Sequence, residues 1–327
     1  MIRVIYAGSP QASAITLDLL AKSASSCGYE IVGVLTNPPS AKGRHKTLIP
    51  TPVHLLAQEL GVSVFTPEHL DAECREKIQE LSPDILVCFA YGHIFGPKFL
   101  NLFRFGGINL HPSALPKYRG CTPVNAAILN GDNETAFSVQ KISLKMDEGD
   151  ILRSLPVVLT KKETAGSLLN EAAEKGVELI RSVLEEIFQT GKLPDGNAQT
   201  GIPSYTSIIK KEDALLNWNS DSEKIDAFVR GYAPEPGAWC FENSSIVRIL
   251  EGFSIQENES SSLNLDSFLS AKPGTVCTFI KEKGIIVRCL KGFFSIIRLQ
   301  RQGKNAMDYK SFMNGARDFV GSLLSIQ

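Results

Sequence analysis

Through the first half of the chain, short apolar, β-branched runs alternate with helix-like stretches, and this alternation restricts the fold more than any other feature. Ile2 to Ala7, Ile31 to Thr36, Val62 to Phe65, Ile85 to Phe89 and Gly107 to Leu110 read as strands buried on both faces, recurring roughly every 20 to 30 residues as βαβ units require. Between them, Thr51-Pro52 opens a helix, Thr as cap and Pro in the first turn, that runs through Leu55, Leu56 and Leu60 to Gly61. A longer helix from about Thr164 to Thr190 sets Leu169, Ala173, Val177, Ile180, Leu184 and Ile187 on one stripe, with Gly191 as its stop. From Lys192 to Ser204 the periodicity is lost and Pro, Gly and polar residues gather, as in a linker. Beyond Tyr205, strand candidates at Ile246 to Leu250, Thr275 to Ile280, Ile285 to Leu290 and Phe293 to Leu299 predict a small β-barrel. The expected architecture is therefore α/β: a Rossmann-like parallel-sheet domain over 1–191, a linker over 192–204, and a smaller OB-like barrel domain over 205–327.

Composition narrows the class. The 34 Lys and Arg against 35 Asp and Glu give a net charge of -1, so the chain as a whole has no nucleic-acid signature and any basic surface must be local. The seven cysteines are scattered without a C-x-x-C pair and read as reduced, buried small hydrophobes. No apolar run approaches the ~20 residues of a membrane helix, and the opening Met1 to Ala7 reads as a strand, so a cytoplasmic protein is expected. The turn Gly8-Ser9-Pro10 stands where a dinucleotide fold would carry G-x-G-x-x-G, and that fingerprint is absent.

The densest polar cluster, Gly107 to Gly120, follows a predicted buried strand at the sheet edge where open α/β folds bind ligands. Asn109 and His111 are two residues apart, so on an extended strand both project to one side and can converge on a single group. An amide and an imidazolium there are two donors for a developing oxyanion. The bland reading is a turn asparagine and a satisfied core histidine. In Met146-Asp-Glu-Gly-Asp150, acidic residues interrupt two strand-like runs, Phe137 to Ile142 and Ile151 to Val158. Asp147 could orient His111 or accept a proton, although Asp with Gly also simply favours a turn. Ser113, His111 and Asp147 supply the residue types of a hydrolytic triad, but Ser113 lies in no G-x-S-x-G elbow and its base would be only two residues away. Cys121 as nucleophile is no better supported. The remaining histidines form no metal-binding spacing, so no metal is expected.

Asn109-x-His111, Ser113-Ala-Leu-Pro-Lys-Tyr-Arg-Gly120 and Met146 to Asp150 together resemble the formyltetrahydrofolate-dependent formyltransferases, and within them the methionyl-tRNA formyltransferase family, over essentially the whole chain. The resemblance implies a catalytic trio of Asn109, His111 and Asp147. It implies that Ser113, Ala114, Leu115 and Pro116 contact tetrahydrofolate and that the Ala90-Tyr91-Gly92 loop helps enclose it. The donor implied is 10-formyltetrahydrofolate, and the acceptor the methionine of initiator tRNA. Residues 37–52 resemble the loop that grips the acceptor stem, with Lys42, Arg44 and Lys46 as its basic residues. Pro234-x-Pro-Gly-Ala-Trp239 and the β-rich remainder resemble a tRNA-binding barrel. A monomer and no membrane partner are implied.

Charge adds a separate indication. Between Lys281 and Arg317 nine basic residues (Lys281, Lys283, Arg288, Lys291, Arg298, Arg301, Lys304, Lys310, Arg317) face Glu282 and Asp308, a local excess of about seven that could attract phosphates. The trio is shared with relatives that formylate other amines, so a sugar-nucleotide acceptor is the alternative enzyme reading. A non-catalytic RNA-binding protein is the alternative of another class.

Overall fold

The computed structural model describes residues 1–42 and 47–327. It divides into two compact units, each built from more than one stretch of chain. The first comprises 1–123, 134–158 and 168–207; the second comprises 124–133, 159–167 and 208–327.

In chain order the first half runs β1 (Ile2–Gly8), α1 (Gln11–Ser23), β2 (Tyr29–Leu35), β3 (Ser40–Lys42), β4 (Thr47–Ile49), α2 (Pro52–Glu59), β5 (Ser63–Phe65), α3 (Ala72–Glu80), β6 (Ile85–Phe89), α4 (Pro97–Leu100), β7 (Gly107–His111) and β8 (Arg119–Gly120). There follow α5 (Pro123–Leu129), β9 (Glu134–Lys141), β10 (Ile151–Val158), α6 (Ala165–Thr190) and β11 (Tyr205–Thr206). The main sheet of the first unit has the order β10-β9-β7-β6-β1-β2-β5. The strands from β7 through β5 pair in parallel, whereas β9 and β10 pair antiparallel, so the sheet is mixed at one edge. An antiparallel return needs no crossover helix, which is why β9 and β10 are joined by the short acidic turn alone. The predicted starts and stops hold where chemistry marks them. Thr51 accepts the His54 amide at 3.1 Å and Pro52 opens α2, and Gly191 ends α6 at φ 69°. The buried stripe of α6 takes in Leu168, Ala172 and Val183 beside the expected Ala173, Val177, Ile180, Leu184 and Ile187, whereas Leu169, expected on it, is only partly buried. At Gly176 an added Cβ would stand 2.5 Å from a Leu110 methyl carbon, so α6 lies directly on β7.

The second unit continues with α7 (Ser222–Gly231), β12 (Ala238–Glu242), β13 (Ser245–Ile255), β14 (Val276–Ile280), β15 (Gly284–Arg288), β16 (Phe293–Arg301), β17 (Met307–Asp308), α8 (Tyr309–Gly315) and β18 (Leu324–Ser325). Its antiparallel sheet has the order β14-β15-β16-β13-β12-β18, and a bridge from Thr275 to Leu323 brings its two ends together. Trp218, Val247, Ile249, Ile285, Val287, Phe294, Ile296 and Phe319 fill its core. Two of the nine basic residues counted there are committed to partners within the unit. Arg288 is 7% exposed and donates to the Gly292 carbonyl and Glu257, and Arg301 is bound to Glu242. Lys281, Lys283, Lys291, Arg298, Lys304, Lys310 and Arg317 are exposed.

Candidate active site

On β7, Ile108 and Leu110 face α6 and the core, and the alternation of a strand turns Asn109 and His111 to the opposite side. Both reach the same carboxylate. Asp147 Oδ1 stands 3.5 Å from Asn109 Nδ2, and Asp147 Oδ2 stands 3.6 Å from His111 Nδ1. The three expected residues are therefore gathered at the C-terminal edge of the parallel strands, though by long contacts. The imidazole is 4% exposed, and its Nε2 donates to the Tyr118 carbonyl at 2.9 Å. A carbonyl can only accept, so the Nε2 proton is fixed there and Nδ1 is the nitrogen left to act.

The short bonds to Asp147 come from residues outside the trio. Gln140 Nε2 donates to Oδ1 at 2.7 Å, and the Gly120 backbone amide donates to Oδ2 at 2.7 Å. Gln140 stands opposite Asn109 in the β7–β9 ladder, which delivers it to this position. Gln199 donates to the carbonyls of Asp147 and Gly149, both at 2.8 Å, and its own oxygen accepts from Arg119 Nε and Nη2 at 3.1 and 2.8 Å. Arg119, 8% exposed, also meets Tyr205 Oη at 2.9 Å and Glu148 at 3.2 Å. Segment 192–204, expected as a linker, thus carries a residue of the site. Its end continues into β11, which pairs with β8, while Ser204 Oγ accepts the Tyr118 amide. The pairing of predicted strand 137–142 with β7 could have flagged Gln140. Nothing in a Pro- and Gly-rich segment flags Gln199.

The residues expected to contact folate separate by exposure. Ser113 is fully buried and its hydroxyl donates to the Lys117 carbonyl at 2.6 Å, which serves the turn and leaves no free nucleophile. Leu115 and Pro116 are buried, whereas Ala114 is exposed. In the other loop Ala90 and Gly92 are exposed with φ 54° and 87°. Tyr91 turns its ring inward, stacked on Phe95 at 5.5 Å, so only its backbone borders the loop. At Gly92 an added Cβ would meet nothing within 4 Å. Of the seven residues expected at the folate, Ala90, Gly92 and Ala114 are thus the exposed ones. Of the expected acceptor-stem residues, Lys42 closes β3, and Arg44 and Lys46 lie outside the described residues. Among the described residues no group of three or more His, Cys, Asp or Glu gathers as a metal site. No helix among them is long and apolar enough to cross a membrane.

The family pattern described as formyl transferase matches residues 2–184, and that described as formyl transferase, C-terminal domain, matches 208–317. Fold, site and both patterns make the chain a formyl transferase. The methionyl-tRNA formyltransferase of Treponema denticola is 37% identical over 328 residues, covering 98% of each chain. The chain belongs to the methionyl-tRNA formyltransferase family. Among solved structures, HypX from Aquifex aeolicus in complex with tetrahydrofolic acid has a TM-score of 0.63 at 15% identity, over 97% of this chain and 47% of that one; the chain spans about half the length of HypX. The N-formyltransferase from Helicobacter canadensis, in complex with folinic acid and dTDP-3-aminofucose, has a TM-score of 0.62 at 19% identity, over 90% and 98% of the two chains. Identities this low speak for a shared fold.

Proposed function

We propose that the protein transfers the formyl group of 10-formyltetrahydrofolate to the α-amine of methionine carried on initiator tRNA. The observation that carries the site assignment is the convergence of Asn109 and His111, from alternate positions of one strand, on Asp147. In this reading the neutral amine adds to the formyl carbon, a new C–N bond forms, and the carbonyl oxygen becomes an oxyanion. The Asn109 amide and the Nδ1–H of a cationic His111 are its donors. Asp147, held by neutral amides rather than by an arginine, keeps its charge for the imidazole and for the proton that the attacking nitrogen must lose. The bond from the formyl carbon to the folate nitrogen then breaks, and that nitrogen takes up a proton. No acyl-enzyme is formed, in keeping with the commitment of the Ser113 hydroxyl to the Lys117 carbonyl.

The full-length likeness to relatives named for methionyl-tRNA supports the acceptor, as do the exposed lysines and arginines of the second unit. Solved relatives in complex with tetrahydrofolic and folinic acids support the donor class. The test is incubation with labelled 10-formyltetrahydrofolate and one of three acceptors: methionine-charged initiator tRNA, methionine-charged elongator tRNA, or a dTDP-amino sugar. Label on the initiator species is expected; label on the sugar alone would replace the acceptor.

A further inference from the structure

Asp147 is poorly placed to hold itself. It has φ 53°, a left-handed conformation that a residue with a Cβ adopts at a cost, and its contacts to His111 and Asn109 are long. The turn beneath it is tight, since a Cβ added at Gly149 would stand 1.7 Å from the Lys141 carbonyl oxygen. What spans this turn is one side-chain amide. Gln199 Nε2 carries two protons and faces two carbonyls at 2.8 Å, those of Asp147 and Gly149, one on each side of the acidic residue Glu148.

The direction of that amide is itself fixed. Arg119 has only donors, so the two nitrogens it presents to Gln199 require oxygen there and turn the NH2 toward the turn. Gln140 is oriented from its other end: Asp147 Oδ1 accepts at 2.7 Å and so takes the Gln140 NH2, while the Gln140 oxygen stands 3.2 Å from Gln199 Nε2, a longer third neighbour of an amide whose two protons face carbonyls at 2.8 Å. The directed bonds run from Arg119 to the Gln199 oxygen and from the Gln199 NH2 to the two carbonyls of the turn. Asn197 exchanges two backbone bonds with Ile151 at 2.9 Å and thereby ties down the segment that carries Gln199.

We propose that Gln199 is a positioning residue for the transfer reaction, its amide holding the Asp147 turn so that the carboxylate stays aligned with Asn109 and His111. The proposal rests on the reading of Asp147 as catalytic. A displacement near 1 Å in such a constellation lowers turnover by about 100-fold, and the effect belongs in kcat because both ends of the Gln199 amide are committed to Arg119 and to the carbonyls of the turn.

The experiment is a double-mutant cycle in the full-length protein: Gln199→Met, Asp147→Asn and the pair, with kcat and KM for both substrates and a melting curve for each. Gln199→Met is expected to lower kcat by about 30- to 100-fold with little change in KM, and to add almost nothing in the Asp147→Asn background. Gln199→Glu keeps the oxygen for Arg119 but loses the donor, and is expected to fail like Gln199→Met; wild-type kcat in Gln199→Glu would sink the proposal. An undiminished independent factor on top of Asp147→Asn would equally sink it, by showing that Gln199 does not act through the carboxylate. Full activity of Asp147→Asn alone would instead overturn the catalytic reading. Should Gln199→Met melt below the assay temperature, the cycle is run with Gln199→Glu, with the same lack of additivity expected and independence again decisive against it.

Discussion

Two part-buried carboxylates, one in each unit, show how the same chemical group is built for different ends. Glu242, 9% exposed, ends β12 and is gripped by Arg301 through two parallel bonds of 2.8 and 2.5 Å. The guanidinium in turn lies over the rings of Phe312 and Phe319 at 4.9 and 5.4 Å. Charge meets charge through Nε and Nη2 of the guanidinium, one on each carboxylate oxygen. Asp147 has an arginine two residues of network away, yet Arg119 is occupied by Gln199, Glu148 and Tyr205. The donors that Asp147 receives are neutral amides, which orient a carboxylate without cancelling it. A neutralised, bidentate carboxylate braces a core, whereas an oriented but uncompensated one beside an imidazole fits the role proposed for Asp147 in the transfer step.

That contrast is sharpest under substitution. Asp147→Asn keeps shape and removes charge, and turnover is expected to fall by roughly 100- to 10,000-fold in single-turnover formyl transfer while the melting curve stays in place. Asn109→Ala removes one oxyanion donor, with an expected loss of about 100- to 1,000-fold in the same assay. Glu242→Gln should do the reverse: with Arg301 left half-satisfied and only partly screened by solvent, stability should drop by about 1 to 3 kcal/mol in denaturant titration, with kcat unchanged below the melting range. A fall in kcat for Glu242→Gln, or a fall in stability alone for Asp147→Asn, would erase the distinction.

Smaller effects concern the exposed faces. Binding of tRNA should weaken with salt along a line of slope roughly -0.9 per phosphate neutralised, and Lys304→Glu should make the slope shallower by about one; a salt-independent affinity measured by filter binding would remove the exposed basic face as an RNA contact. Least consequential is thiol labelling at mildly alkaline pH. Burial pushes the Cys88 and Cys240 thiols up to about 12, whereas Cys121 is exposed, so peptide mapping should find Cys121 modified first.

The strands that carry the site were readable because their patterning is plain: Ile85–Phe89 and Ile151–Val158 fall where the apolar runs place them. Elsewhere, glycine misleads. Strand β13 was expected to stop at Leu250 but continues to Ile255, because Gly252 makes room for the Phe294 ring, whose nearest carbon would stand 2.4 Å from an added Cβ, and takes part in an irregularity of register rather than ending the strand. The short pair β3–β4 lies within the segment 37–52, and strands of three residues each are too brief to show a period. In the second unit a charge count does not reveal that Arg288 is buried or that Arg301 is bound to Glu242.

Local patterning by itself determined that Asn109 and His111 share one side of a strand at a ligand-binding edge, since period-two alternation and the flanking apolar residues leave no other choice. It likewise determined the acidic turn that supplies Asp147. What only the tertiary structure decided is which groups bond that residue. Gln140, Gly120 and Gln199 lie 7, 27 and 52 residues from Asp147 in sequence, and a hydrogen bond of 2.7 to 2.8 Å depends on through-space geometry that no spacing along the chain encodes.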